Sequence, residues 1–320
     1  MKRVLGLCTI GCVVAVSSVS AQDYPTKSVR FVLPFPPGGG TDTLARIVGA
    51  HLSKTMGQSM VMDNRPGAGA NIGAEIAARS APDGYTLLMG NIAHAVNVTL
   101  YRKLSYDFVK DFDPVTMLAT APNMLVTHPS VAAKNVQELV ALTKKAPGTF
   151  NYASSGSGSS AHLSGELFKN MTSTDIVHVP YKGGGPAVAS LLSGETKIGF
   201  ATMPSVLAQT KSGKLRALAV TGDKRSPTAP DIPTIAESGV AGYAASGWYG
   251  VLVPTGTPKP IVARLNKELI ATVNDKDVQL QLARFGYDIE TGAPENFRKT
   301  IVAEIKKWGV VVKAANLRAD

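Results

Sequence analysis

The sequence predicts an α/β protein of two units, each a mostly parallel sheet flanked by helices. Strand, loop and helix patterns alternate from residue 29 to residue 89, with connections too long for hairpins, and this favours parallel pairing. The same alternation begins again after residue 145. Roughly 299 residues remain after a leader segment, a length typical of two domains.

Residues 1–21 have the organisation of a secretory signal peptide. Lys2 and Arg3 precede an apolar run, and small residues ending at Ala21 form a cleavage site. The apolar run is too short to span a membrane, and no later stretch reaches the roughly 18 apolar residues that a span needs. We therefore expect an exported protein.

Composition narrows the classes of function. Cys8 and Cys12 both lie in the leader, so the mature chain should contain no disulfide, thiol nucleophile or cysteine metal site. The formal net charge of +10 falls to about +8 without the leader. Because the basic residues are scattered and only 6% of residues are aromatic, we expect no nucleic-acid partner. A surface that steers small acidic ligands and a merely solvated surface both fit this charge.

The first unit opens with strand Val29–Leu33, a proline- and glycine-rich loop and a helix. Thr41 or Asp42 is expected to cap that helix. Free backbone N–H groups at the positive end of a helix suit an anion. The glycine spacing matches neither the dinucleotide fingerprint nor the nucleotide-phosphate loop. A glycine turn needed only for tight strand-to-helix packing explains the loop equally well.

Further elements follow at regular intervals. The first unit should contain strand 58–63, helix 74–79 and strand 85–89. Residues 90–94 then leave the carboxyl end of the third strand, at the sheet edge where α/β proteins bind ligands. Strands 112–118 and 123–127 should lead into the second unit, which is predicted to contain helix 136–145, strand 150–153, helix 162–171, strand 176–179, helix 186–192 and strands 197–201 and 215–221. Strand 248–253 should return to the first sheet before helices 261–273, 278–285 and 294–313.

No catalytic or metal site is predicted. The nearest approach to a G-x-S-x-G elbow, residues 158–162, has histidine at its fifth position. His162 and Glu166 lie one helical turn apart, but there is no H-E-x-x-H motif and no evident third ligand. We interpret this pair as a surface contact. The sequence thus predicts no enzyme and no cofactor.

A serine-rich loop is the second candidate for anion binding. Its hydroxyls lie beside free backbone N–H groups, and His162 in the next helical turn could donate one further hydrogen bond. Such donors without an activating base suit recognition of a carboxylate. A flexible surface loop is the alternative for the serines, and a cap or a solvated side chain is the alternative for His162. The hydroxyls belong to Ser154, Ser155, Ser157, Ser159 and Ser160.

The chain resembles the Bug family, the extracytoplasmic solute-binding receptors of tripartite tricarboxylate transporters. The likeness covers essentially the whole mature chain and rests on the signal peptide and on motifs in a fixed order. These motifs are P-F-P-P-G-G-G-T-D at 34–42, N-R-P-G-A-G at 64–69, P-D-G-Y-T-L-L at 82–88, Y-A-S-S-G at 152–156, V-P-Y-K-G-G at 179–184 and P-T-I-A-E-S-G at 233–239.

The resemblance implies a Venus-flytrap periplasmic binding protein fold with two crossovers. Domain 1 would comprise residues 22–122 and 247–320, domain 2 residues 123–246, and the ligand cleft would lie between them. One ligand carboxylate would be held by the 35–42 loop and the serine loop, largely through backbone amides and bridging waters. By this similarity the ligand-binding residues are Phe35, Gly39, Gly40, Thr41, Asp42, Asn91, Ala93, His94, Ser154, Ser155, Gly156, Ser157, His162, Tyr181, Gly183 and Thr202.

The resemblance also implies a function. The protein would be a periplasmic, monomeric receptor that captures a small carboxylate, either a dicarboxylate or an aromatic acid, and delivers it to membrane permease subunits. Many relatives carry an acidic residue near Thr202, and its absence here disfavours an amino-acid ligand. A carboxylate sensor for a signalling pathway and a secreted hydrolase are the alternatives.

Overall fold

The computed structural model describes residues 24–314 and 317–319, so the predicted signal peptide lies outside the described residues. The strands are β1 (Val29–Leu33), β2 (Met60–Asn64), β3 (Thr86–Asn91), β4 (Phe112–Thr127), β5 (Asn151–Ser154), β6 (Val177–Pro180), β7 (Ile198–Thr202), β8 (Arg216–Val220), β9 (Ser246–Pro254) and β10 (Asp288–Ile289). The α-helices are α1 (Gly40–Thr55), α2 (Asn71–Ala78), α3 (Ile92–Leu100), α4 (Val136–Lys145), α5 (Ser160–Thr172), α6 (Gly184–Ser193), α7 (Met203–Lys211), α8 (Lys259–Asn274), α9 (Lys276–Arg284) and α10 (Pro294–Ala314).

The strands form two sheets, one in each unit of a two-domain α/β fold. In the first sheet β1 pairs in parallel with β2 and β3, as the alternating pattern predicted. In the second, β5 pairs in parallel with β6 and β7. Antiparallel strands complete both sheets, since β9 joins β3, and β7 and β8 join β4. Each sheet is therefore mixed.

Strand β4 links the two sheets. It pairs with β9 of the first sheet as far as Pro122, opposite Ser246, and with β7 of the second sheet from Asn123, opposite Thr202. The predicted strands 112–118 and 123–127 are thus one continuous strand of 16 residues. The prediction of a break was wrong, because the intervening residues keep extended pairing with β9. The exact domain boundaries stay a prediction.

The cap of α1 also differs from the prediction. The helix begins at Gly40 with Gly39 as N-cap, and no side chain caps it. Thr41 and Asp42 already lie inside the first turn, so neither occupies the capping position. Gly38 has φ +85°, a left-handed turn that glycine adopts without steric cost, and this turn redirects the chain from β1 into the helix.

Three helices depart from the predicted pattern. Helix α2 starts three residues earlier than expected, after a short 3₁₀ helix at Ala68–Ala70. Helices α3 and α7 were not predicted at all. Both begin directly at the end of a strand, with no intervening turn residues to signal them. No helix in the described ranges has the length and apolar character required to cross a bilayer.

The first sheet is covered on both faces, as parallel sheets generally are. Phe31, Val32 and Leu33 are fully buried, and they divide between two hydrophobic clusters on opposite faces. Helix α1 packs Leu44 and Leu52 against one of these faces. Each such buried leucine contributes about 1.5–3 kcal/mol to stability, which anchors α1 on the sheet.

Candidate functional site

The N-termini of five helices converge on one small cavity between the two sheets. This inner cavity encloses about 40 Å³. Its lining includes the N-cap or the first residues of α1, α3, α5, α6 and α7. These are Gly39, Gly40 and Thr41 of α1, Asn91, Ile92 and Ala93 of α3, Ser159 and Ser160 of α5, Gly184 of α6 and Thr202 of α7. The first N–H groups of a helix have no partner within it and carry a partial positive charge. Their convergence creates a site suited to an anion.

Two of these helix ends are tied to each other. Asn91 caps α3 by accepting a hydrogen bond from the Ala93 N–H at 3.0 Å, and its amide donates to the Thr41 hydroxyl at 3.3 Å. The side chains of Thr41 and Asn91 are both buried. The ends of α1 and α3 are consequently held at a fixed separation along this wall of the cavity.

Asp42 supports the loop from behind the lining. Its carboxylate accepts hydrogen bonds from the Gly38 N–H, the Arg46 guanidinium and the Asn64 amide. Burial by itself would raise the pKa of Asp42, but these hydrogen bonds outweigh it and lower the pKa, so the group is a carboxylate. Its oxygens are engaged in shaping the loop.

The floor of the inner cavity is formed by the start of β9. Gly247, Trp248 and Tyr249 all line it, although no sequence pattern identified them. A Cβ built on Gly40 would lie 3.0 Å from the Tyr249 hydroxyl and 3.5 Å from the Thr202 hydroxyl, so these groups approach the α1 N-terminus closely. Burial raises the pKa of Tyr249, and its hydroxyl remains protonated and able to donate.

The sixteen residues that line the inner cavity include no charged side chain. Backbone N–H groups and hydroxyls are the donors that these residues offer, and the aromatic residues Trp248 and Tyr249 are among them. An anion bound here would be stabilised by helix and hydroxyl dipoles and would not form an ion pair with a lysine or arginine of the lining.

A larger opening of about 750 Å³, the outer cavity, adjoins the inner one, and the two share Phe35, Pro36 and Ser155. Its walls come from the 3₁₀ helix, Tyr101, the serine loop and residues 180–183. The units are in contact across this cleft. A Cβ on Gly183 would lie 2.4 Å from Pro36 Cγ, and one on Gly158 would lie 2.8 Å from Leu100 Cδ2. The structure therefore has its two units closed on each other.

His94 is buried within the first unit. It forms a capping box with Asn91, in which the Asn91 N–H donates to His94 Nδ1 at 3.1 Å, and its ring stacks on Phe108. Burial lowers the pKa of His94 to about 4, so the imidazole is neutral at pH 7. Its Nε2 has no hydrogen-bond partner among the described residues.

His162 and Ser154 belong to a buried network beneath the serine loop. The Gly158 N–H donates to His162 Nδ1 at 3.1 Å, and the ring stacks on His178 with centroids 4.0 Å apart. His178 Nε2 in turn lies 2.6 Å from the Ser154 hydroxyl. Burial lowers the pKa of His162 to about 4, and a neutral ring is required for Nδ1 to accept. The alternative of a solvated side chain does not hold for His162, because it is only 5% exposed.

Glu166 also corrects a prediction. The expected surface pair with His162 does not occur, since Glu166 is 9% exposed. Its carboxylate accepts hydrogen bonds from the Tyr152 hydroxyl at 2.7 Å and from Lys169 at 2.9 Å. The carboxylate thus links the middle of helix α5 to Tyr152 of strand β5.

The structure divides the predicted ligand-binding residues into three sets. The inner cavity is lined by Phe35, Gly39, Gly40, Thr41, Asn91, Ala93, Ser155 and Thr202. The outer cavity is lined by Gly156, Ser157, Tyr181 and Gly183, as well as by Phe35 and Ser155. Four line neither cavity and are buried behind them, namely Asp42, His94, Ser154 and His162.

The lining also contains residues that were not predicted as ligand contacts. These are Pro36, Ile92, Ser159, Ser160, Gly184, Gly247, Trp248 and Tyr249. The two serines were noted in the sequence as donors, and the position of Gly184 directly after Gly183 was a usable signal. Within residues 24–314 and 317–319, no group of three or more potential metal ligands occurs.

Comparison with known proteins identifies the family. The model of the tripartite tricarboxylate transporter family receptor matches residues 44–317. The chain belongs to this family. The receptor is 38% identical to Protein BugT of Bordetella pertussis over 319 residues, which cover 98% of this chain and 97% of that relative. The resemblance to the Bug receptors is confirmed, and the family is one of solute-binding receptors and not of enzymes.

Solved structures share the fold. The structure entitled R. palustris Rpa4515 with adipate has a TM-score of 0.90 and 39% sequence identity, and covers 92% of this chain and 99% of its own. MatC from Rhodopseudomonas palustris with bound malate has a TM-score of 0.85 and 33% identity, and covers 90% of this receptor and 100% of that chain. The two-domain periplasmic binding protein fold is thereby confirmed.

Proposed function

We propose that this receptor captures a small carboxylate in the periplasm and delivers it to the permease of a tripartite tricarboxylate-type transporter. A dicarboxylate or an aromatic acid is the proposed ligand. The convergence of five helix N-termini on an inner cavity without charged side chains is the observation that carries this proposal.

The two cavities suit the two parts of such a ligand. The inner cavity, at about 40 Å³, has room for a carboxylate but not for a whole aromatic or six-carbon acid. The remainder would extend past Phe35 and Ser155 into the outer cavity. Relatives of the same fold have been solved with adipate and with malate, which supports an acid ligand here.

The ligand contacts are part of the proposal. The backbone N–H groups of Gly40 and Thr41 and the hydroxyl of Ser155 would hold the carboxylate. The predicted residues behind the lining would position these groups, since Asp42 fixes the α1 loop and His162 fixes the serine loop.

Calorimetric titration tests the binding proposal. Succinate, glutarate, adipate, malate and benzoate should be titrated into the purified protein, each beside its methyl ester. We expect at least one acid to bind and every ester to fail when all its carboxylates are esterified, because the ester then lacks the charge that the helix N-termini favour. Native mass spectrometry of freshly purified protein should reveal a co-purified acid of the same class. Binding of a neutral sugar in place of every acid would overturn the proposal.

Delivery to a permease requires a separate test. Uptake of the radiolabelled form of the acid that binds should be lost in cells without the receptor and restored when it is expressed again. Unchanged uptake would remove the transport role while leaving the binding role intact.

A further inference from the structure

Trp248 carries a buried hydrogen-bond donor without a partner. Its side chain is 3% exposed, and its indole Nε1 makes no hydrogen bond to any described residue. Buried donors are nearly always satisfied in native proteins, so an unsatisfied one calls for an explanation. Trp248 is also the only residue with such an unpaired polar atom that lines the inner cavity of the described structure.

The surroundings fix this tryptophan in place. It pairs with Thr120 of β4, and its ring packs edge to face on Phe297 of α10 with centroids 5.4 Å apart. Its neighbours Gly247 and Tyr249 line the same cavity. Trp248 is therefore a lining residue whose side chain is held in place by Phe297 of α10.

We propose, on the basis of the proposed carboxylate-receptor function, that the Trp248 indole donates a hydrogen bond to the bound acid and that the inner cavity selects acids without a neighbouring ammonium group. An indole N–H can only donate, so its partner in the ligand is an acceptor such as a carboxylate oxygen. A hydrogen bond to a charged group is stronger than one between neutral groups.

The absence of charge in the lining determines the ligand class. An α-amino acid would bring an ammonium beside its carboxylate, and a buried ammonium needs a carboxylate partner. None of the sixteen lining residues supplies one, and Asp42, behind the lining, is already engaged with Arg46 and Asn64. Space is also limited, since the Tyr249 hydroxyl lies 3.0 Å from where a Gly40 Cβ would be.

Paired ligands test the selection. Succinate, glutarate and adipate should be titrated by calorimetry beside 2,3-diaminosuccinate, 2,4-diaminoglutarate and 2,5-diaminoadipate, each of which adds an ammonium beside both carboxylates. We expect every amino acid to bind at least about tenfold more weakly than its partner acid. Equal affinity for adipate and 2,5-diaminoadipate would overturn the selection.

Two tryptophan variants test the contact. Trp248→Phe keeps an aromatic ring against Phe297 but removes the N–H, and it should weaken adipate binding by about 10- to 150-fold. Trp308→Phe is the matched control. Trp308 is fully buried on α10 and its N–H donates to Glu304, so this variant should keep the wild-type affinity.

Fluorescence provides an independent measurement. The chain contains two tryptophans, so Trp308→Phe leaves Trp248 as the single tryptophan, whose emission can be excited selectively over that of the tyrosines. Adipate should then change the emission of Trp248, and an unchanged spectrum at saturation would overturn the contact. Tight adipate binding with unaltered affinity in Trp248→Phe would refute this inference alone. Failure of every acid to bind the wild-type protein would instead refute the proposed function.

Discussion

Two adjacent glycines at the start of α1, Gly39 and Gly40, differ in how closely other atoms approach them. Gly39 and Gly40 are adjacent and both line the cavity, yet only Gly40 faces a crowded space. A Cβ on Gly40 would lie 3.0 Å from the Tyr249 hydroxyl and 3.4 Å from the Tyr287 hydroxyl, whereas the nearest atom to a Cβ on Gly39 is the Pro36 oxygen at 4.0 Å. A side chain at position 40 would therefore crowd the cavity, whereas a small side chain at position 39 would not.

We therefore expect Gly40→Ala to weaken acid binding and Gly39→Ala to preserve it. Overpacking of this kind costs about 1–3 kcal/mol, or about 5- to 150-fold in affinity. Calorimetry with adipate measures the effect, and Gly39→Ala serves as the matched control. Equal affinities for the two variants would place the ligand away from the α1 N-terminus.

The buried histidines determine how stability depends on pH. Burial lowers the pKa of His94 and that of His162 to about 4. In an unfolded chain a histidine titrates near about 6.5. Between pH 6.5 and pH 4 the unfolded chain thus binds protons that the folded chain does not, so the free energy of unfolding falls as the pH falls.

The expected slope approaches about 1.4 kcal/mol per pH unit for each of these two histidines. Urea unfolding at pH 7, 6 and 5 measures it, and the scan above pH 7, where both histidines are neutral in both states, is the control. His162→Gln should show a shallower slope. A constant free energy of unfolding between pH 7 and pH 5 would contradict the burial of neutral imidazoles.

At the scale of elements, the loops between strands and helices bring the two units together. The loop before α6 meets the loop after β1, where a Cβ on Gly183 would lie 2.4 Å from Pro36 Cγ. Gly183 also has φ +123°, which L-residues rarely adopt. Gly185, two residues on in α6, has no atom within 4 Å of the corresponding Cβ position. Contact between the units thus depends on glycine at the first position but not at the second.

Gly183→Ala should hinder closure, while Gly185→Ala should allow it. The first change places a methyl group between the two units and strains the backbone, whereas the second replaces glycine by a better helix former. Small-angle scattering with saturating adipate should show contraction for the wild type and for Gly185→Ala. Full contraction of Gly183→Ala would show that Pro36 can move aside.

For the molecule as a whole, closure and binding are linked. A ligand that binds the folded state stabilises it by about 2.7 kcal/mol at a hundredfold excess over its dissociation constant. About 1 kcal/mol raises the melting temperature of a large domain by about 2–4 °C. The form with the two units in contact around the inner cavity is the one that such a ligand would favour.

The acid that binds in calorimetry should accordingly raise the melting temperature by several degrees at a hundredfold excess over its dissociation constant. Its methyl ester, with every carboxylate esterified, is the control at the same concentration and should cause no shift. The acid should also be recovered chemically unchanged after long incubation, because the family consists of receptors. Consumption of the acid would contradict a receptor role.

Local patterns in the sequence determined most of the elements. Helix Val136–Lys145 and strand Val29–Leu33 lie where periodicity predicted them, because short-range spacing of apolar residues controls such segments. Glycines after strand ends located the loops that line the cavities, and ordered motifs indicated the family. All of these signals are contained within a few neighbouring residues.

Tertiary structure decided the features that depend on contacts between residues far apart in the sequence. Strand β4 is continuous because β9, more than a hundred residues later, pairs along it. Trp248 lines the inner cavity because that return strand crosses beneath helix ends from both units. His94 and His162 are buried and their rings stack on Phe108 and His178, although the sequence alone allowed both to meet a ligand. Residue type and spacing do not encode such long-range burial, so only the folded chain separates the residues that line the cavities from those that support them.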